Sequence, residues 1–237
     1  MRCPAQRAIV VVMDTHHGYD NLYRDRWHYS YVGARAWLRE WAKVKFHIVR
    51  HFGIARGSRV LEVACGQGQH VALMRRLGMR ASGVDISIEA VKFAATQFPD
   101  CDIRHVDATR NLPFAPSEFD VIWSHGAAFF HYDVTDRETA DIVRGHLHYL
   151  KPGGLYVLAI ATDLSGRKPP KGPNGWSSVV WMNTLDDYRT LFERLCVTQD
   201  LTKPDVRWEA ARHFVPLVGP KLRDGLAICG AWKPRPH

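Results

Sequence analysis

Val60-Leu61-Glu62-Val63-Ala64-Cys65-Gly66-Gln67-Gly68, followed by Gly83-Val84-Asp85-Ile86-Ser87, is the stretch whose reading decides the fold. Arg59 to Ala64 is short, apolar and β-branched, the pattern of a strand buried on both faces. It runs directly into a glycine turn and then into a helical segment, Gln69 to Leu77, closed by Gly78. A strand that enters a glycine turn and a helix N-terminus aims backbone N–H groups at a ligand, with no side chain in the way. An acid at the end of the second strand, Asp85, about 20 residues on, suits a pair of ribose hydroxyls. These features point to a nucleoside cofactor. The third glycine of a dinucleotide fingerprint would fall at Val71, so the pyrophosphate turn is not satisfied.

Outward from this centre, strands and helices alternate. A strand from Ala81 to Asp85 leads to a helix that starts at Ser87, a good N-cap, with Glu89 in its first turn. Further strands end at Asp107 and span Phe119 to Ser124. Thr135-Asp136-Arg137-Glu138 has capping-box spacing and opens a helix to Leu150. Lys151-Pro152-Gly153-Gly154 reads as a turn before a fifth apolar strand, Leu155 to Ala161. Thr184, with Asp186 and Asp187, opens another helix, and Val206 to Val215 and Leu226 to Trp232 read as an antiparallel hairpin at the sheet's edge. This alternation predicts an α/β fold: a mostly parallel sheet with helices on both faces. On the N-terminal side, Tyr19 to Phe52 reads as helical. Trp37, Trp41, Val44, Ile48 and Phe52 recur at helical spacing, and Gly53 and Gly57 end the pattern.

A chain of 237 residues accommodates one such domain over 1–237. Within it, 1–55 forms an N-terminal extension and helical cap, and 56–237 forms the core, interrupted by a loop at 163–175 rich in Lys, Pro and Gly that is expected to be mobile. Met13 reads as a natural start, so residues 1–12 are expected to be an upstream extension. Hydrophobic residues at 46% and charged residues at 24% exclude a disordered tail and a collagen-like repeat. Five widely spaced cysteines with no CxxC pair indicate neither a disulfide framework nor a zinc ribbon. Reduced thiols and a cytoplasmic location are expected. The apolar run Ala8 to Met13 is too short for a membrane span, and the histidines lack paired metal-ligand spacing.

Thirty-two basic against 24 acidic residues give a formal charge of +8, which favours anionic partners. The charge is scattered over Arg24, Arg26, Arg35, Arg39, Lys43 and Lys45. No Asn/Asp-Pro-Pro-Tyr/Phe signature, Pro-Cys nucleophile or appended RNA-binding module accompanies it, so nucleic acid is the lesser alternative to a small acceptor.

Val106-Asp107-Ala108 precedes Leu112-Pro113-Phe114 and Phe119-Asp120-Val121-Ile122-Trp123-Ser124. With the glycine turn and Leu150-Lys151-Pro152-Gly153-Gly154, this order of motifs over residues 58 to 162 resembles the class I S-adenosylmethionine-dependent methyltransferases, closest to their small-molecule (type 11/25-like) branch. The resemblance implies a seven-stranded Rossmann-like sheet and S-adenosyl-L-methionine as cofactor, with S-adenosyl-L-homocysteine as product. It also implies in-line transfer of the methyl group to an N or O atom of a small acceptor, for which the basic charge and the aromatic residues of the N-terminal segment suggest an anionic or aromatic character.

Carried onto this chain, the resemblance places Glu62, Gly66 and Gly68 at the methionine part of the cofactor. Ala64 stands where the family more often has its first glycine. Asp85 meets the ribose hydroxyls and Ile86 packs on the adenine. Asp107 and the backbone of Ala108 meet the adenine edge, and Ser124 approaches the methionine end. Trp123 to His131 resembles the stretch in amine methyltransferases in which a histidine, here His131, pairs with an N-terminal tyrosine, here Tyr23, to position or deprotonate the acceptor. His125-Gly126 departs from that pattern, so an amine substrate does not follow. His125 is a second catalytic candidate, and Tyr19 and Trp27 are candidates for a lid on the substrate. The alternatives are a nucleic-acid methyltransferase and a cofactor-binding, non-catalytic partner subunit.

Overall fold

Alternate residues of the central strands face opposite ways, and both directions are apolar, which is the pattern of a sheet covered on both faces. The computed structural model describes residues 19–21, 23–24, 34–131, 134–163, 183–197 and 224–233. In chain order these contain helix α1 (Ala34–Ala42), which continues as a wider π-helical stretch (Lys43–Arg50), then β1 (Arg59–Val63), α2 (Gln69–Arg76), β2 (Arg80–Asp85), α3 (Ile88–Gln97) and β3 (Asp102–His105). β4 (Phe119–His125), a 3₁₀ turn (Ala128–His131), α4 (Arg137–Tyr149), β5 (Leu150–Asp163), α5 (Leu185–Val197) and β6 (Asp224–Trp232) follow.

The strand order is β3-β2-β1-β4-β5-β6. All neighbours are parallel except the edge strand β6, which runs antiparallel along β5 from Leu155↔Trp232 to Asp163↔Asp224. The order reverses between β1 and β4, the place at which open α/β sheets bind ligands. On one face Leu61, Val63, Ile122, Tyr156, Leu158 and Ile160 pack with residues of α4 and α5. On the other, Val60, Val121, Trp123 and Val157 pack with Val44, Ile48 and α2. The helical stripe read from the sequence is therefore a packing face: Val44 and Ile48 are fully buried, and Trp37, Trp41 and Phe52 pack beside them.

Several expectations need correction. Six strands lie among the described residues; the expected seventh, Val206–Val215, falls outside them, so of the expected edge hairpin only β6 is described. Of the expected extension and cap over 1–55, only 19–21, 23–24 and 34–55 are described, and 164–175 of the expected loop lies outside the described residues. The Thr135–Glu138 box does not form: the N-cap of α4 is Asp136, with no side-chain capping bond. There the chain enters from a tertiary anchor, Val134 N–H donating to Asn183 Oδ1 at 3.3 Å. The equivalent box does form at α5, where Thr184 N–H donates to Asp187 Oδ2 (2.7 Å) and Asp187 N–H to Thr184 Oγ1 (3.2 Å). The expected turn at Lys151–Gly154 is instead an irregularity inside β5. The register with β4 jumps from Phe119↔Leu150 to Val121↔Leu155, while Gly153 and Gly154 pair with the backbone of Lys233 at 2.8 Å.

Candidate active site

After β1 the backbone turns sharply. Ala64 (φ 57°), Gly66 (φ 53°) and Gly68 (φ 76°) all adopt the left-handed region, which an alanine occupies only with strain. Gly66 has no room for a side chain, since a Cβ there would lie 2.5 Å from the Tyr23 hydroxyl. At Gly68 it would strike Ile103. Beneath the turn, a Cβ on Gly83 of β2 would lie 2.7 Å from Cys65 Sγ and 2.9 Å from Val71. Cys65 is buried, and burial pushes its thiol well above the usual range, so it fills space.

Asp85 fastens this turn to the next one. Its Oδ2 accepts from Gly66 N–H (2.7 Å) and its Oδ1 from Ser87 N–H (2.9 Å). Burial raises its carboxyl to about 6 despite those two bonds. Ser87 caps α3 by accepting from Ala90 N–H (3.2 Å), and its hydroxyl donates to Asp20 (2.7 Å), which also accepts from Glu89 N–H (3.3 Å). Asp20 is thus held over the start of α3. His105 fixes Ile86 by donating to its carbonyl at 2.8 Å. Asp107 closes its own loop, accepting from Thr109 N–H (2.9 Å) and from Arg110 Nε (3.2 Å). The Ala108 carbonyl is held from behind by His146 Nε2 at 2.6 Å, whose Nδ1 lies 3.1 Å from the Tyr156 hydroxyl. Burial pulls the His146 imidazole down to about 4, so it is neutral: Nε2–H donates and Nδ1 accepts.

The ends of β1 and β4 lie side by side, with Glu62↔Trp123 and Val63↔Ser124 in register. Among the described residues, Glu62 Oε2, Ser124 Oγ and both amide atoms of Gln69 are buried polar atoms with no hydrogen-bond partner. His125 accepts a bond from Lys43 at 3.0 Å. Burial, and then the Lys43 charge, hold its imidazole well below the usual range. His131 ends the 3₁₀ turn, which is locked because Tyr188 Oη (3.0 Å) and Asn183 Nδ2 (3.1 Å) donate to the Phe130 carbonyl and Thr139 Oγ1 (3.1 Å) to that of Phe129.

The structure thus brings Tyr23, Ala64, Gly66, Gly68, Asp85 and Ile86 together at one end of the sheet, with Glu62, Ser124 and His125 at the adjoining strand ends. Tyr19 is half-buried in the segment that Asp20 anchors, and Trp27 lies outside the described residues. Sequence reading missed Glu40, His70 and His146. Glu40 carried a signal, because it falls between Trp37 and Val44 on the apolar stripe, where an unpaired carboxylate is not tolerated. The arrangement offers backbone N–H groups, unpartnered carboxylate and hydroxyl oxygens, and a left-handed glycine turn with the Tyr23 hydroxyl packed against it. That donor set suits a nucleoside carrying a charged amino-acid tail.

Comparison with known proteins agrees. Residues 60–154 match the family model described as a methyltransferase domain. A 2-methyl-6-phytyl-1,4-hydroquinone methyltransferase of Synechocystis is 31% identical over 136 residues, 56% of this chain and 40% of that one. An S-adenosyl-L-methionine-dependent Diels-Alderase of Talaromyces variabilis is 27% identical over 165 residues, 65% of this chain and 56% of that one. The chain therefore spans about half the length of these relatives. The crystal structure of a magnesium protoporphyrin IX methyltransferase from Synechocystis superposes with a TM-score of 0.64 at 14% identity, covering 98% of this chain and 99% of that one. No helix among the described residues is long and apolar enough to cross a membrane.

Proposed function

We propose that this chain, which belongs to the class I S-adenosylmethionine-dependent methyltransferases, binds that cofactor across the turn Ala64–Gly68 and moves its methyl group to an N or O atom of a small molecule. The observation that carries the reading is the buried, unpartnered Glu62 Oε2 and Ser124 Oγ beside a left-handed glycine turn that carries no side chain of its own at Gly66 and Gly68 and against which the Tyr23 hydroxyl packs. These atoms fit the ammonium and carboxylate of the cofactor's methionine end. Asp85 has each oxygen engaged once and retains lone pairs for two ribose hydroxyls. Ile86 flanks the adenine, and Asp107 and the Ala108 backbone meet its edge. The bound cofactor supplies an electrophilic methyl group on a sulfonium. The protein's part is to align the acceptor with it, exclude water and take up one proton. His131, on its locked turn, receives that proton, Tyr23 orients the acceptor, and Tyr19 and Trp27 cover it. His125 is the weaker base, since Lys43 occupies its Nε2.

The small-molecule reading is supported by the hydroquinone methyltransferase relative and by the scattered basic charge. The Diels-Alderase relative supports a second reading, cofactor binding without methyl transfer. Both are tested by calorimetry with S-adenosylhomocysteine, then by transfer of labelled methyl to quinol, phenol and amine acceptors and to tRNA. A micromolar Kd, about −8 kcal/mol, with labelled small-molecule product is expected. Binding of NAD but not S-adenosylhomocysteine refutes the cofactor assignment, site-selective labelling of tRNA refutes the substrate class, and binding without transfer to any acceptor selects the second reading.

A further inference from the structure

His70 sits on the first turn of α2 between two carboxylates that come from different parts of the chain. Its Nδ1 lies 3.0 Å from Glu62 Oε1 on β1, and its Nε2 lies 3.0 Å from Glu40 Oε2 on α1. An ionised carboxylate only accepts, so a ring that bonds one at each nitrogen donates from both and is a cation. Lys43 forms an ion pair with the same Glu40 and donates to His125. Arg39, whose side chain is exposed, also donates to Glu40 Oε1 at 3.2 Å; among the buried groups, two carboxylates, one imidazolium and one ammonium sum to zero, the condition under which so many charges remain buried. Burial opposes the His70 charge, but Glu62 and Glu40 outweigh it and hold the imidazole above its usual range. Burial likewise opposes the Glu40 charge, and His70 and Lys43 hold that carboxyl well below its usual range.

The consequence appears at Glu62. One of its oxygens is committed to His70, and the other is buried with no partner. The bridge leaves the carboxylate one orientation and presents a single free oxygen. We propose that His70 and Glu40 are positioning residues: through the bridge they hold Glu62 Oε2 toward the ammonium of the bound cofactor, so that the N-terminal helix takes part in cofactor binding. The inference rests on the cofactor reading above and extends it to two residues that do not touch the ligand.

The test compares two probes, S-adenosylhomocysteine and 5′-methylthioadenosine, which has the nucleoside but lacks the amino-acid tail. Calorimetry is run on the full chain and on His70→Gln, Glu40→Gln, Glu62→Gln and the Glu40→Gln/Glu62→Gln pair. His70→Gln and Glu40→Gln are each expected to weaken S-adenosylhomocysteine about tenfold, as for the loss of one bond between charged groups, and to leave methylthioadenosine unchanged. The paired variant should lose less than the sum of its two single effects. Equal weakening of both probes makes the bridge merely structural and overturns the inference, as does unchanged S-adenosylhomocysteine binding in His70→Gln and Glu40→Gln. A wild-type chain that binds neither probe refutes the cofactor reading instead, and the inference with it.

Discussion

His146 is fully buried and neutral, and that makes its contribution to stability dependent on pH in a way a single substitution exposes. In the unfolded chain the imidazole titrates near its usual 6.5, whereas in the fold burial holds it at about 4. A depressed histidine adds stability above the unfolded pKa and loses it as pH falls, because the unfolded chain gains a proton that the fold refuses. The difference of about 2.5 units at 1.36 kcal/mol each amounts to about 3 kcal/mol by pH 4, and about 2 kcal/mol by pH 5. His146→Phe keeps a ring against Phe129 and Tyr156 but removes both bonds, leaving the Ala108 carbonyl and the Tyr156 hydroxyl unpaired. At pH 7.5 that should cost about 2 kcal/mol. The assay is urea unfolding of both proteins between pH 4.5 and 8, taken as a difference so that all other titrations, Asp85 among them, cancel. The two stabilities should converge near pH 5, with the variant the more stable below it. A difference that stays constant with pH would refute the reasoning, since it would mean that the fold accommodates a protonated His146.

Gly83→Ala should destabilise by about 1–2 kcal/mol, overpacking against Cys65 and Val71 outweighing the gain from a stiffer unfolded chain; a urea midpoint at or above wild type would contradict the tight approach. Asp20→Ala should cost about 1 kcal/mol by removing a second cap from α3, read as a lower Tm and faster proteolysis around residues 19–24. Asp85, raised to about 6, should bind ribose hydroxyls better when ionised, so S-adenosylhomocysteine affinity should fall by up to about tenfold per pH unit below 6. Flat affinity from pH 5 to 8 would remove Asp85 from that role. His131→Ala should lower turnover by about 10²–10⁴-fold at nearly unchanged cofactor affinity, Tyr23→Phe less so. Full turnover in His131→Ala with an unshifted pH profile would leave alignment alone as the catalytic device.

The strands and helices around the glycine turn were legible because local pattern and tertiary environment agree there. Val60, Leu61 and Val63 point in both directions and are buried in both, with Glu62 the one buried charge among them. Ser87 offers a cap, and no competing contact displaces it. The Thr135 box failed where a distant residue intervened: Asn183 takes the Val134 N–H and shifts the helix start by one residue. Lys151–Gly154 has turn chemistry, yet the partner strand reaches it through Lys233, so it stays within the sheet. The site was legible in part for the same reason. Glycines and acids at strand ends announce themselves by spacing. The Glu40–His70–Glu62 bridge joins residues separated by 30 and 8 positions, and no periodicity relates them. Only Glu40, a charge inside an apolar stripe, hinted at it.

The neutrality of the buried quartet has a further consequence for how the sequence can drift. Replacing Glu40, Lys43, His70 or Glu62 alone strands a charge away from water, at a cost of about 3–5 kcal/mol, whereas exchanging the set together for apolar residues of like volume costs little. Intermediate steps are thus disfavoured where the endpoints are not. Because Glu62 is also the proposed partner of the cofactor's ammonium, descendants that keep that role should carry the four residues complete, or retain Glu62 without His70 and supply another donor from the helix that faces it.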